Sequence, residues 1–308
     1  MDKFNEYLII KGYSTKTVES IIKATNYFIR WWEADTTGDI AEAGHNDIIA
    51  YVKYCNDRGT GKKTVAQYIM HLKKYFTFLQ EESQVSDNPC SNIKIKGIKR
   101  KLLYEILTLQ ELGNLYNGYT TEITVTGKEG YRPPQKLNTL SRKRNKVILG
   151  LLIWQGLRSE EVARLQMQDV KLREGKIFIA ASKRTNERTL SLESHQVFEL
   201  LDYINDTRKA ILEHKKVTEP VQQLFVTTGT SGLLTNTLHM LLKHLHELNR
   251  KVKDLKQIRT SVITHWLKVH NLRKVQVMAG HRYVSSTESY KINNMEELKE
   301  DIKNYHPF

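Results

Sequence analysis

The sequence predicts a mainly α-helical protein of two domains, the second interrupted by a small β-hairpin. Three observations carry that expectation. Apolar residues recur at helical spacing through most of the chain, and two short alternating runs flank a polar turn at 182–187. A basic stretch near residue 95 also separates two regions that each hold enough apolar residues for a core of their own.

In chain order, Ser14 is placed as an N-cap, and Val18, Ile21, Ile22, Ile29 and Trp32 follow on one helical face. Tyr27, Trp31 and Trp32 can stack on bases in principle, but on an amphipathic helix they read as core. Asp47–Cys55 reads as a second helix. In a third, Val65, Ile69, Leu72, Phe76 and Leu79 step by four, three, four and three. Lys62, Lys63, Lys73 and Lys74 lie on or beside this helix. By themselves they read as a solvated face, and next to a polyanion they read as phosphate contacts.

Ser86-Asp87-Asn88-Pro89 is a turn signal, and from Ile93 to Lys101 there are five basic residues, Lys94 and Lys96 among them, and no acidic one. The reading is an N-terminal helical domain over 1–90, a linker over 91–105 and a second domain over 106–308. Such a linker is either a soluble spacer or a track along a nucleic-acid backbone. Thr108 and Glu111 are spaced as a capping box that opens the second domain. Arg132–Lys146, with six basic residues and two prolines, reads as a loop before a helix Val147–Trp154. Lys176–Ala180 and Arg188–Leu192 read as the hairpin strands, with helices expected at 192–213, 235–248, 259–270 and 272–279. A short helix through Glu297, Leu298 and Ile302 is expected to end the chain.

With 48 basic against 34 acidic residues, the net charge of +14 draws a polyanion, and nucleic acid fits better than a membrane. The longest apolar run, Val147–Leu157, is too short to span a bilayer, and the N-terminus has no secretory pattern. Two cysteines, Cys55 and Cys90, make neither a disulfide framework nor a thiolate metal site. His239, His244, His246, His265 and His270 cluster in sequence but fit no zinc spacing and read as helix-face residues. An intracellular, reducing location is expected, cytoplasmic and close to the nucleoid.

Metal-free cleavage of a phosphodiester needs cations around the non-bridging oxygens, an acid for the leaving oxygen and a positioned nucleophile. The second domain offers each type. Arg158, in Gly156-Leu157-Arg158-Ser159-Glu160-Glu161, sits at a helix junction with free backbone amides and can clamp phosphate bidentately; alone it also reads as a surface ion pair to Glu161. Lys183 lies in the hairpin turn, Lys256 precedes Arg259 by three residues, and Gly280-His281 is followed after eight residues by Tyr290.

In order and spacing this set resembles the tyrosine recombinases, the phage integrase, Cre and Xer group. Their motifs are G-L-R-x-x-E, a hairpin lysine, H-x-x-R, and L-G-H with a downstream tyrosine. The N-terminal region, including Tyr75-Phe76-Thr77-Phe78-Leu79, is similar to that family's core-binding domain.

The resemblance implies a two-domain DNA clamp acting without a cofactor, with Arg158 and Arg259 on the scissile phosphate and Lys183 as the acid for the 5′ oxygen. It further implies that His281 hydrogen-bonds a phosphate oxygen or assists proton transfer, and that Tyr290 attacks to give a 3′-phosphotyrosyl bond. Glu161 is expected to buttress Arg158. Lys62, Lys63, Lys73, Lys74, Lys94, Lys96 and Arg188 are expected to contact DNA.

Two positions depart from the family pattern, with Lys256 where a histidine is usual and Ala279 where a leucine is usual. A lysine can donate to phosphate but is no neutral base near pH 7. The partners implied are double-stranded recombination sites and a homotetramer on paired sites, its C-terminal tail docking between protomers. No arm-site-binding domain is expected ahead of the first helices. A type IB topoisomerase-like enzyme and an inactive DNA-binding regulator on the same fold are the competing readings.

Overall fold

The computed structural model describes residues 1–98, 104–122, 135–229 and 231–291. It divides into two units, Met1–Leu102 and Leu103–Phe308.

The first unit packs four helices, α1 (Asp2–Ile10), α2 (Thr15–Asp35), α3 (His45–Asp57) and α4 (Lys62–Glu81). Ser14 caps α2 by accepting from the Thr17 amide. The residues that step by threes and fours along α4, Val65, Ile69, Leu72, Phe76 and Leu79, are all buried against Phe4, Leu8, Ile21, Phe28, Ile48 and Tyr51. The aromatic rings interlock edge to face, Phe28 on Tyr51 at 5.0 Å and on Phe76 at 6.0 Å. Beyond α4 the chain alternates, with Ile93 and Ile95 packed on this core and Lys94 and Lys96 exposed.

The second unit begins with a strap. Tyr104 Oη donates to Asp254 Oδ2 at 2.6 Å, and the Glu105 carbonyl accepts from Gln257 Nε2 at 2.9 Å. The Leu107 amide donates to Ser261 Oγ at 2.9 Å, and its carbonyl accepts from His265 Nε2 at 2.8 Å. Gln257, Ser261 and His265 form one stripe on a later helix, α11 (Leu255–Val269), which Asp254 caps. The Thr108–Glu111 capping box then opens α5 (Leu109–Gly118) with both reciprocal bonds, at 2.8 and 3.0 Å.

Next, α6 spans Gln135–Trp154, so residues 135–146, expected as loop, are the first twelve of its twenty residues. Lysine and arginine are good helix formers, and a proline just ahead of a helix does not oppose it. The chain continues through α7 (Ser159–Arg164) and an antiparallel sheet β1 (Val170–Lys171), β2 (Lys176–Ile179), β3 (Arg188–Ser191), ordered β1-β2-β3. The two-residue β1 was not foreseen, being too short to show an alternation.

Helices α8 (Ser194–Asp202) and α9 (Arg208–His214) are joined through a π-helical turn, Tyr203–Thr207, and α10 (Leu234–Leu248), α11 (Leu255–Val269), α12 (Leu272–Ala279) and α13 (Val284–Glu288) follow. The core gathers α5, α6, α7, the sheet and α10 around Leu149, Leu152, Leu157, Ile177, Leu241 and Ile258. The expected helix through Glu297, Leu298 and Ile302, and the linker cations from Lys99 to Lys101, lie outside the described residues. Among the described residues no helix is long and apolar enough to cross a membrane, and no group of three or more His, Cys, Asp or Glu side chains is placed to hold a metal.

Candidate active site

The site forms where the α6–α7 junction, the hairpin turn, α11 and the α12–α13 junction meet. Gly156 turns the chain after α6 at φ +56, where a Cβ would sit 3.1 Å from Val262 and 3.2 Å from Trp266. Arg158 follows as the residue ahead of α7, half-buried, its amide donating to Glu161 Oε2 at 2.9 Å.

Glu161 is the hub. Its buried carboxylate is gripped by Arg188 through two parallel bonds, Nη1 to Oε1 at 3.0 Å and Nη2 to Oε2 at 2.9 Å, and Arg259 Nη1 lies 3.7 Å away. Burial pushes the Glu161 carboxyl up, but Arg188, the Arg158 amide and Arg259 together outweigh it and hold the group below its ordinary value.

Arg188 therefore corrects the expectation that it contacts DNA, because its side chain is 1% exposed and its guanidinium is spent on Glu161. The signal was in the strand: along β3, burial alternates so that Arg188 shares the inward face with Leu190. Glu161 likewise holds Arg188 and Arg259 by their side chains but Arg158 by its backbone.

Arg259, on α11, is 4% exposed. It donates to the Gly156 carbonyl, to the Ala279 carbonyl at 2.7 Å and to His281 Nε2 at 3.3 Å. Burial first, then the charge of Arg158, brings its guanidinium down to about 10, still protonated at neutral pH. Gly280 ends α12 at φ +64, and a Cβ there would lie 2.4 Å from Arg188 Nη1 and 2.9 Å from its Cζ. Glycine precedes His281 because the Arg188–Glu161 pair occupies the space of any side chain.

His281 is buried, its Nδ1 2.9 Å from Thr287 Oγ1. Burial, then the charges of Arg259, Arg158 and Arg188, pushes its imidazole from 6.5 down to about 3, so the ring is neutral at physiological pH. Tyr290 stacks on that ring with centroids 5.6 Å apart and planes 15° apart. Half-buried, it packs against Ile263, Val275 and Ala279, and its amide donates to the Thr287 carbonyl at 3.1 Å. Thr287, which sequence reasoning missed, thus touches both His281 and Tyr290; no motif spacing marks a lone threonine.

Lys183 is exposed at the hairpin tip. Its turn is closed by Ser182 and Thr185, with amide–carbonyl bonds of 2.9 and 3.3 Å. The turn is also fastened to the histidine segment, since the Asn186 amide donates to the Gly280 carbonyl at 3.2 Å and Arg282 donates to the Lys183 carbonyl at 3.1 Å. Lys256 is exposed in the first turn of α11, one turn ahead of Arg259, and its ammonium takes no part in the hydrogen bonds that knit the cluster. In the first unit, Lys62 and Lys63 are exposed at the start of α4 and Lys73 donates to the Ser91 carbonyl at 3.2 Å. Lys74 is turned onto Tyr13, hydrogen-bonded to its hydroxyl and 4.3 Å over its ring.

The chain matches two family models, the phage integrase family over residues 134–297 and the phage integrase N-terminal SAM-like domain over residues 1–83. It is 26% identical over 313 residues to tyrosine recombinase XerD of Listeria innocua, covering 100% of this chain and 98% of that one. It is 28% identical to XerD of Oceanobacillus iheyensis, with 99% and 97% covered, and 24% identical to XerC of Bacillus subtilis, with 99% and 95% covered. Among solved structures, a lambda integrase(75-356) dimer bound to a COC′ core site superposes with a TM-score of 0.61 at 15% identity, covering 94% of this chain and 93% of that one. XerH site-specific recombinase bound to difH gives 0.61 at 19% identity, with 86% and 73% covered. The chain belongs to the phage integrase family and is a site-specific DNA recombinase of the tyrosine type.

Proposed function

We propose that Tyr290 cleaves one DNA strand at a time by attacking the scissile phosphate, that Arg158 and Arg259 stabilise the charge on its non-bridging oxygens, and that Lys183 protonates the departing 5′ oxygen. The observation that supports this assignment is convergence. Four separate stretches of sequence converge: Tyr290, His281 and Arg259 are in direct contact, Arg158 is tied to Arg259 through Glu161, and the lysine turn is tied to the histidine segment through Asn186 and Arg282.

The tyrosine oxygen forms a bond to phosphorus as the bond to the 5′ oxygen breaks. The 3′-phosphotyrosyl bond keeps the energy of the phosphoester, so a partner strand's 5′ hydroxyl can reverse the step without nucleotide hydrolysis. Arg259, buried, and Arg158, half-buried beside it, supply fixed charge where the transition state becomes more anionic.

Lys256 stands ready one turn from Arg259 as a further phosphate donor in place of the family's usual histidine. Lys62, Lys63, Lys73, Lys94 and Lys96 are the exposed cations of the first unit suited to backbone phosphates. Lys74 is less so, being held on Tyr13. We assign action on DNA in the cytoplasm as a tetramer on paired sites, with residues from Met295 onward linking protomers. The neighbours' own complexes, a lambda integrase dimer on a core site and a tetramer on a Holliday junction, support that assembly.

The deciding experiment is a nicked suicide substrate, from which wild-type protein forms a covalent adduct that survives denaturant. Tyr290→Phe should bind the site with unchanged affinity and form none; an adduct from the mutant assigns the nucleophile elsewhere.

A further inference from the structure

A general acid has to be aimed at the leaving oxygen. Lys183 is exposed, and among the described residues its ammonium has no hydrogen-bond or ion-pair partner, so the backbone alone directs the side chain. The peptide that follows it, between Lys183 and Arg184, is held at both ends. Its carbonyl accepts from Arg282 Nη1 at 3.1 Å, and its amide donates to Ser182 Oγ at 3.2 Å. Because a peptide unit is planar, these two bonds fix its rotation and so set the direction in which the Lys183 side chain leaves the turn.

Arg282 is itself anchored. From α12 the buried Gln276 donates through Nε2 to the His281 carbonyl at 3.1 Å and also reaches the Arg282 carbonyl, while the His281 amide returns to the Gln276 carbonyl at 3.0 Å. Beside this segment Thr185, also buried, pairs with His281 in a single antiparallel bridge. An exposed arginine on a basic chain would ordinarily be assigned to a DNA phosphate. Here the guanidinium meets the carbonyl of the acid-bearing residue instead.

We propose that Arg282 is a positioning residue for the general acid, holding the Lys183 carbonyl so that the lysine is presented to the departing 5′ oxygen. The inference rests on Lys183 being that acid. Arg282 neither gives nor takes a proton, and the one that reaches the 5′ oxygen still leaves the Lys183 ammonium.

The test is single-turnover adduct formation, at saturating protein, on two suicide substrates that carry oxygen or sulfur at the bridging 5′ position. The sulfur substrate needs no acid, because a thiolate departs unprotonated. Arg282→Ala should slow cleavage of the oxygen substrate by about tenfold or more, since a displacement of about 1 Å at a reacting group can cost about 100-fold. On the sulfur substrate it should match wild type within about twofold, and its site affinity should do the same. Arg282→Lys, which keeps a donor, should recover much of the lost rate. Added to Lys183→Ala, the Arg282→Ala change should cost nothing further on the oxygen substrate.

Equal slowing on both substrates, or a further loss in the Lys183→Ala background, would mean that the guanidinium acts on the phosphate and overturns the inference. A wild-type rate of Arg282→Ala on oxygen overturns it too. If Arg282→Ala does not fold, Ser182→Ala, which frees the other end of the same peptide, must show the same rescue by sulfur or the inference falls. Rescue of Lys183→Ala but not of Arg282→Ala refutes the inference alone. If sulfur does not rescue Lys183→Ala, the acid is misassigned and the inference falls with it.

Discussion

The two units bury different things. Among the described residues of the first, the buried side chains are aliphatic and aromatic, with Thr25 and His71 the polar exceptions beside Tyr and Cys. The second buries Arg144, Glu161, Arg188, Arg208 and Arg259, and with them Asp169, Gln257, Ser261, His281 and Thr287.

Taking charge out of water costs several kcal/mol per ion unless partners are exact in geometry, so no folding advantage explains such a core. The first unit keeps its charge on the surface, where water hydrates it and salt screens it. The second holds charge inside, oriented in advance by its partners, as the proposed transition-state role of Arg259 requires.

The largest effect that would sharpen this contrast is expected at Lys183, an exposed group on a turn fastened to the histidine segment. Lys183→Ala should slow cleavage by about two to four powers of ten, as removal of a general acid does. A substrate with sulfur in place of the bridging 5′ oxygen, whose thiolate leaves unprotonated, should restore most of the rate. Arg158→Ala should remain slow on that substrate. Sulfur rescue of Arg184→Ala instead would move the acid one residue along.

A second test acts on the first unit. Leu72→Ala, in the fully buried stripe of α4, should lower stability by about 2–5 kcal/mol. At temperatures where it stays folded and with the DNA site saturated, its cleavage rate should match wild type. A slowed chemical step would mean that the first unit's core also shapes the active site.

Arg188→Lys tests the opposite case, keeping the charge but losing the two-pronged grip on Glu161. A loss of about 1–3 kcal/mol in transition-state stabilisation is expected, that is roughly five- to 150-fold in the saturated rate. Binding should be nearly unaffected, since this arginine does not reach the surface. A fall in affinity with an intact rate would return Arg188 to the DNA-contacting set.

The smallest effect concerns pH. An unfolded histidine takes up a proton near pH 6.5, whereas His281 in the folded chain does so at about 3. Its contribution to stability is complete above pH 6.5 and declines as pH falls toward 3, the loss reaching on the order of 2 kcal/mol at pH 5. His71 and His244 are lowered by burial too and act in the same sense. The difference between wild type and His281→Gln therefore isolates the one residue: urea midpoints at pH 7 and pH 5 should separate more for wild type. Equal separation would show that the ring is not held neutral.

What was legible in the sequence followed from periodicity and ordered motifs. The α4 stripe, the Thr108–Glu111 box, the hairpin and α12 emerge from local spacing, and the candidate site residues from the order of short motifs that resemble a family. What was not legible depends on contacts between distant segments. Nothing near Lys183 announces that its turn is tied to Gly280 and Arg282, almost a hundred residues on. Arg188 sits in a basic stretch and looked like surface, although its phase with Leu190 pointed inward. The basic first half of α6 looked like loop because its charge masked good helix propensity.

The strap at residues 104–107 has a mechanical side. It runs in the same direction as α11, its first contact at Asp254 and its last at His265. A pull entering the chain ahead of Tyr104 would load these bonds one after another, as a peeled adhesive is loaded, rather than all at once. The first to part would be Tyr104–Asp254, and Asp254 also caps α11 through the Gln257 amide at 2.7 Å. The pull would therefore reach the capped start of the helix that carries Lys256 and Arg259 before it loads the bonds at Ser261 and His265.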